Sequence, residues 1–232
     1  GMARSSIWYR QTLDGDFHGG AIDVNIFAPP SLLESAYLVT WAKAAVGGFA
    51  KLKLGSLRRI DIDESYAVLD DTNYPGLFAL SEGAPGKPAL NVFAVSHIDL
   101  DGSPLGFSPG VPGLALEHGT PQSGIVVTVS GDLELDTAVL RHEIGHFAGL
   151  FHTSETNPDY GDLLSDTETC PDVIGMLPGC PDYHNLMFPY ALGKSGMELT
   201  PMQELGVHAS AIYRGAVEPG GGLAAPLDGS AG

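Results

Sequence analysis

The sequence has 232 residues, of which 28 are Asp or Glu and only 11 are Lys or Arg, so its formal net charge is −17 at pH 7. Such acidity argues against binding to nucleic acids and to anionic membrane surfaces. Hydrophobic residues make up 44% of the chain and no apolar run approaches the length of a membrane span, so we expect a globular protein without one.

Apolar periodicity predicts alternating strands and helices along the chain. We predict strands at residues 21–27, 58–62, 66–69, 89–95 and 125–129. We predict helices from a Ser31 cap to about Val46, from an Asp136 cap to Gly149, and from a Thr200 cap to about Arg214. This order is typical of an α+β fold, in which a mixed twisted sheet with two long helices is followed by a smaller irregular C-terminal lobe and a final helix. We expect a single domain at 1–214, with an upper lobe at 7–149, a lower lobe at 150–214, and a Gly/Ala/Pro-rich tail or linker at 215–232.

The most informative stretch is a histidine motif, H-E-x-x-H-x-x-G-x-x-H, at residues 142–152. His142 and His146 are four residues apart, so on a helix they share a face and can bind one metal ion. Glu143 is close enough to reach a water at that ion without binding the ion itself. Gly149 lets the chain leave the helix, and His152 can then return as a third ligand. Three imidazoles with an open fourth position are typical of a catalytic zinc rather than a structural one, and His184 is the substitute if His152 is not a ligand.

The segment that follows the motif is acidic. Residues 153–193 contain seven Asp or Glu and no Lys or Arg. A charge run of this kind is usually a solvated loop, but calcium binding is the alternative. The segment also holds the only two cysteines, Cys170 and Cys180, whose close spacing favours a short disulfide over reduced thiols or a metal site. A disulfide indicates a secreted or otherwise extracytoplasmic protein.

A second motif, Asn185-Leu186-Met187, comes shortly before the predicted final helix. Together the two motifs resemble those of the metzincin zinc endopeptidases, whose Met-turn forms a hydrophobic floor under the three histidines. Within that clan the chain looks most like the pappalysin family, on the basis of Thr153 after the third histidine, Ser165-Asp166-Thr167 with Cys170 nearby, and Asn185-Leu186-Met187.

The resemblance implies a role for each matching residue. His142, His146 and His152 would bind zinc, Glu143 would act as general base and acid, and Met187 would form the Met-turn. Some relatives carry structural calcium and a disulfide in the loop before that turn, and the candidate calcium ligands here are Asp159, Asp162, Asp166 and Glu168. Several metzincins place a tyrosine two residues after the methionine, where this chain has Pro189, so Tyr190 is the candidate for supporting the oxyanion.

These observations predict a zinc-dependent endopeptidase acting on a protein or peptide. We expect the substrate to lie along an exposed sheet edge at residues 125–129 or a neighbouring strand. Leu150, Phe151 and the segment after Met187 are the candidates for lining its side-chain pocket. The alternatives are a metzincin-fold binding module that does not cleave and a metzincin of the matrix-protease type.

Overall fold

The computed structural model describes residue 17 and residues 19–32, 34–157, 161–190 and 197–215. Its strands are β1 Ala21–Ala28, β2 Lys53–Asp61, β3 Val68–Asp70, β4 Leu90–Val95, β5 His97–Asp99, β6 Gly106–Phe107 and β7 Gly124–Thr128. Its α-helices are α1 Ser35–Val46, α2 Tyr74–Leu77, α3 Leu133–Ala148, α4 Val173–Met176 and α5 Pro201–His208. Residues 7–16 of the predicted upper lobe and residues 216–232 of the predicted tail lie outside the described residues.

The main sheet has five strands in the order β2-β1-β4-β7-β6. The first four are parallel to one another, and β6 runs antiparallel to β7. The prediction of a mixed sheet with helices is therefore confirmed. Of the two positions predicted for the sheet edge, the structure shows the second, because β7 is paired on both sides and its neighbour β6 is the edge strand.

Both faces of the sheet are covered, which explains why its central strands read as nearly continuous apolar runs. Side chains alternate between the faces, so Ile26 and Val92 enter the core beneath α1 and α3, while Phe27 and Phe93 enter a second cluster on the opposite face. Trp41 of α1 and Ile144 of α3 are fully buried in the first core. The site-bearing helix α3 thus packs against both the sheet and α1.

Two predicted helix starts are wrong. In both cases the side chain of the proposed N-cap residue hydrogen-bonds to groups outside the first turn of the predicted helix. Ser31 donates its hydroxyl to the Glu64 carboxylate, and α1 starts after Glu34 instead. The cap of α3 is Asp132, whose carboxylate accepts the backbone N–H groups of Glu134 and Leu135. The predicted cap Asp136 lies inside the helix.

The final helix is also shorter than predicted. Thr200 and Gln203 form its capping box as expected, but α5 ends at His208 rather than near Arg214. Arg214 has instead left the helix and pairs with β1, where its backbone exchanges two hydrogen bonds with Ala21. Residues 58–62 overlap the second half of β2. Of the predicted strand at 66–69, the first two residues end a turn of 3₁₀-helix and the last two begin β3.

The Cys170–Cys180 disulfide is present, as predicted from the spacing of the two cysteines. Its sulfur atoms are buried in a small cluster with Val173 and Phe188. None of the described helices combines the length and the apolar composition that a membrane crossing requires.

Candidate metal centre

Helix α3 presents the first half of the histidine motif, and a glycine turn brings back the second half. His142, Glu143 and His146 lie in the last two turns of the helix. Gly149 follows with φ 109° and ψ 13°, a left-handed conformation that costs glycine little, and its N–H caps the helix end. The chain then reverses, and His152 lies on the segment that returns towards the helix.

The three imidazoles converge on one point. The Nε2 atom of His152 lies 3.2 Å from Nε2 of His142 and 3.0 Å from Nε2 of His146. Their ligand atoms all lie within 4.8 Å of one another, so these three residues form a group that could hold a metal ion. His184, the substitute ligand considered from the sequence, does not join this group in the described part of the chain.

Hydrogen bonds to the opposite ring nitrogen fix the orientation of each imidazole. Nδ1 of His142 lies 2.8 Å from the carbonyl oxygen of Leu186, and Nδ1 of His146 lies 2.8 Å from that of Leu150. A carbonyl oxygen only accepts, so Nδ1 carries the proton in both rings. Burial, with the neighbouring histidine charges, lowers the pKa of His142 to about 3, and burial with the charge of His152 lowers the pKa of His146 to about 4. Both rings are therefore neutral near pH 7, with unprotonated Nε2 atoms.

This arrangement fits a cation. Nε2 of His152 carries at most one proton and can donate it to only one of the two unprotonated Nε2 atoms at a time, so the convergence of all three at about hydrogen-bond distance is unfavourable unless a positive charge lies between them. Tetrahedral ligands at about 2.0–2.1 Å from zinc lie about 3.3–3.4 Å apart, close to the separations seen here. Three imidazoles are also a donor set that zinc prefers.

Glu143 lies beside this group without joining it. Its side chain is buried, and burial raises its pKa to about 8. Its Oε2 atom has no hydrogen-bond partner. Gly106 of the edge strand β6 packs against the carboxylate so closely that a Cβ there would lie 2.9 Å from Cγ of Glu143. The result is a free carboxylate oxygen held between the sheet edge and the histidines.

Met187 packs against α3 at Gly145. It is fully buried, and its Sδ atom would lie 2.4 Å from a Cβ placed on Gly145. The Met187 backbone is also fixed, because its N–H donates to the Asn185 side chain and its carbonyl accepts from Thr153 N–H. The loop of Met187 is thus joined directly to the segment after His152.

A cleft of about 530 Å³ opens over the histidines and Glu143. Its remaining wall is mostly apolar and comes from loop 102–111, Val139 of α3 and the pair Pro189 and Tyr190. The expectation that Leu150 and Phe151 line this pocket is wrong. Leu150 packs in the core, and Phe151 is 58% exposed outside the cleft.

Loop 102–111 was the part of the site that the sequence did not assign. Its Leu105, Phe107 and Val111 line the cleft beside β6. The available signal was the length of the Gly/Pro-rich segment before β7, since long irregular loops are usually functional. Tyr190 also lines the cleft and is 38% exposed.

The candidate calcium ligands do not converge in the described part of the chain. Asp166 accepts from Thr200 Oγ1 and Met202 N–H, so its carboxylate lies at the start of α5. Asp162 accepts from Thr167 and from the Gln203 side chain. Glu168 is exposed, and Asp159 lies outside the described residues.

No family model matches this sequence, and no curated protein matches it significantly. Among solved structures, it is similar to archaemetzincin from Methanopyrus kandleri, with a TM-score of 0.48 and 15% identity over 79% of this chain and 92% of that one. It is also similar to metalloproteinase-II from Bacteroides fragilis, with a TM-score of 0.49 and 12% identity over 81% of this chain and 52% of that one. Both TM-scores are below 0.5, so the chemistry of this chain has to be inferred from its own residues.

Proposed function

We propose that the protein is a zinc-dependent endopeptidase. The observation that carries the proposal is the convergence of three imidazole Nε2 atoms beside an unpartnered glutamate oxygen, at the floor of an open cleft. His142, His146 and His152 would hold the zinc, which leaves a fourth position open towards the cleft. Zinc bound there supplies Lewis acidity, which polarises a carbonyl and lowers the pKa of water to about 7.

Glu143 supplies the proton transfer. Peptide hydrolysis requires a base that takes a proton from the attacking water and an acid that returns it to the leaving amine. A buried carboxylate with its pKa raised towards neutrality suits both steps, and its Oε2 atom is free to accept. A nearby cation favours the ionised carboxylate, so Glu143 would begin the cycle as the base.

The edge strand β6 orients the substrate. One side of β6 pairs with β7, and no strand of the described chain pairs with the other side. An extended peptide would add to that side through backbone hydrogen bonds. The apolar wall of Leu105, Val111 and Val139 would then accept a hydrophobic side chain beside the cut. Among the described residues, no Asp or Glu of the acidic segment 153–193 lines the cleft, which argues against a preference for basic side chains.

The finer assignments follow from the same motifs. We propose the metzincin type, with Met187 as the Met-turn and Tyr190 as a support for the oxyanion, while the pappalysin type rests on sequence motifs alone. The disulfide favours an extracytoplasmic location. Calcium binding stays a prediction, and the hydrogen bonds already made by Asp162 and Asp166 weigh against it. The division into lobes at about residues 149 and 150 also stays a prediction.

A peptide-hydrolysis assay with and without zinc tests the proposal. The wild-type protein should cleave an unstructured protein such as casein, lose activity with a zinc chelator, and recover it when zinc is added back. The matched variant Glu143→Gln keeps size and polarity but cannot transfer the proton, so it should lose about 10²–10⁴-fold in turnover.

The variant should retain one equivalent of zinc and the circular-dichroism spectrum of the wild type. Zinc binding by a wild-type protein that cleaves no member of a broad peptide library would instead favour the binding module. If Glu143→Gln hydrolysed peptides as fast as the wild type, Glu143 would not be the group that transfers the proton.

A further inference from the structure

His152 is held differently from the other two histidines. His142 and His146 lie on a helix and donate to backbone carbonyls, so no single side chain decides their orientation. His152 lies outside regular structure, and its Nδ1 atom lies 2.5 Å from Oε1 of Glu155. Of the three imidazoles, only that of His152 is oriented by a hydrogen bond to a side chain rather than to a backbone carbonyl.

The backbone between these two residues is fixed from the opposite side. Thr153 and Ser154 both donate their hydroxyl groups to Oδ2 of the buried Asp182. Ser154 also accepts the N–H of Cys170, next to the disulfide. With that backbone anchored, the Glu155 side chain reaches the His152 ring three residues earlier. The hydrogen bonds of Thr153 and Ser154 thus fix the segment that joins the pair.

We infer that Glu155 is a positioning residue for the third metal ligand. This inference rests on the zinc site of the proposed function. The carboxylate accepts the Nδ1 proton of His152, which keeps that proton off Nε2 and turns the Nε2 lone pair towards the other two histidines. Its negative charge also makes the imidazole a more basic ligand.

A purely structural role predicts a different outcome. The two side chains are 24% and 36% exposed, and partly exposed pairs of this kind contribute little to the stability of a fold. Removing the Glu155 carboxylate should therefore leave the metal-free fold almost unchanged while it weakens metal binding. A residue that merely stabilised the loop would affect both measurements together.

The test measures zinc affinity at fixed pH by competition with a chromophoric chelator, for the full chain and three variants. Glu155→Ala should weaken zinc binding about 10–100-fold, the usual effect of removing such a partner. Glu155→Gln keeps an oxygen that accepts the Nδ1 proton but removes the charge, so its affinity should lie between those of wild type and Glu155→Ala. Glu117→Gln removes one charge from an exposed position in another loop and should bind zinc like the wild type.

Thermal unfolding of the metal-free proteins is the second measurement. All three variants should unfold within about 2 °C of the wild type, since surface changes cost little stability. The inference is overturned if Glu155→Ala binds zinc as tightly as wild type, if Glu155→Gln is no better than Glu155→Ala, or if metal-free Glu155→Ala unfolds much earlier.

Peptide hydrolysis by the wild type separates this inference from the proposed function. A protein that binds zinc with the expected ranking of variants but cleaves no peptide would leave the role of Glu155 intact and refute the peptidase. Peptide cleavage by the wild type, together with identical zinc affinities for all variants, would support the peptidase and refute the role of Glu155.

Discussion

At the scale of single residues, Gly106 lets the sheet edge lie directly against Glu143. A Cβ at this position would lie 2.9 Å from Cγ and 3.0 Å from Oε1 of Glu143, and 3.0 Å from the Val126 carbonyl oxygen. The carbonyl belongs to the sheet and cannot retreat, so in Gly106→Ala the carboxylate has to move. A displacement of about 1 Å can cost about 10²-fold in turnover. We expect such a loss of kcat in peptide hydrolysis, with zinc content unchanged.

A companion measurement separates displacement from misfolding. Gly106→Ala should keep the zinc affinity of the wild type, because the atoms nearest to the new methyl group belong to Glu143 and Val126 and not to the histidines. Full turnover in this variant would mean that Glu143 still acts as the general base after its carboxylate has moved. Loss of zinc together with activity would mean that the change damages the whole site.

The sequence identified some of these residues and missed others for a clear reason. The histidines and Glu143 are separated by fixed spacings along one helix and its turn, so local geometry alone predicts their convergence. Gly106 and Glu155 act through contacts that no spacing rule describes. Gly106 meets Glu143 only because β6 folds back against β7. Such contacts depend on the tertiary structure.

At the scale of elements, Gly113 joins the loop before β7 to helix α3. Its N–H donates to the Phe147 carbonyl oxygen at 2.9 Å, and a Cβ there would lie 2.1 Å from ring atoms of Phe147. The Phe147 ring is 1% exposed and has no room to move. Gly113→Ala should therefore lower the free energy of unfolding by about 1–3 kcal/mol, the usual cost of overpacking a core. Urea denaturation measures this loss.

Gly110→Ala is the matched control, in the same loop and with the same chemical change. Its three nearest neighbours, Cβ and Cα of Gln122 and Cα of Gly113, would lie 3.1–3.3 Å away, so shifts of only a few tenths of an ångström accommodate the methyl group. We expect Gly110→Ala to unfold close to the wild type. Equal stability of the two variants would show that the loop is not pressed against Phe147 as described.

Element boundaries were the part of the fold that the sequence predicted least well. Asp136 follows the pattern of a helix cap, but it accepts from Ser130, Gly131 and Tyr37 as a buried carboxylate inside α3. The strand β6 has only two residues in a Gly/Pro-rich loop, too few for any periodicity. Apolar patterning reports burial rather than hydrogen bonding, so it located the long elements and missed these details.

At the scale of the whole molecule, the order of strands and helices was predictable while the sheet order was not. Runs such as 89–95 and 125–129 mark strands buried on both faces, and β1, β4 and β7 are such strands. Their neighbours in the sheet come from distant parts of the chain, which local patterns do not encode. The same is true of the chain segment after α5, which returns to β1 instead of continuing as a helix.

Asp23 of β1 holds the segment after α5 against the sheet, because it bonds both Arg214 of that segment and Ser56 of β2. Its carboxylate on β1 accepts from the Arg214 guanidinium at 2.8 Å and from the Ser56 N–H on β2 at 2.6 Å. Burial raises the pKa of the carboxyl, but the hydrogen bonds from Arg214 and Ser56 and the charges of Arg214 and Arg58 outweigh it, so the pKa is lowered overall. A lowered pKa favours the folded state above the unfolded value of about 3.9, and this stability is lost as the pH falls through the folded value.

Asp23→Asn should therefore destabilise the protein at neutral pH and not in acid. At pH 7 we expect a loss of about 2 kcal/mol in the free energy of unfolding, because hydrogen bonds to a charged group contribute about 1.5–3 kcal/mol. The difference from the wild type should start to shrink as the pH falls below the unfolded value of about 3.9, and it should disappear only below the lower pKa of folded Asp23. Urea denaturation of both proteins from pH 7 to pH 3 measures it, with Asp71→Asn as a control at an exposed position on another loop. A difference that stays constant across this range would mean that the Asp23 charge does not hold the return of the chain to the sheet.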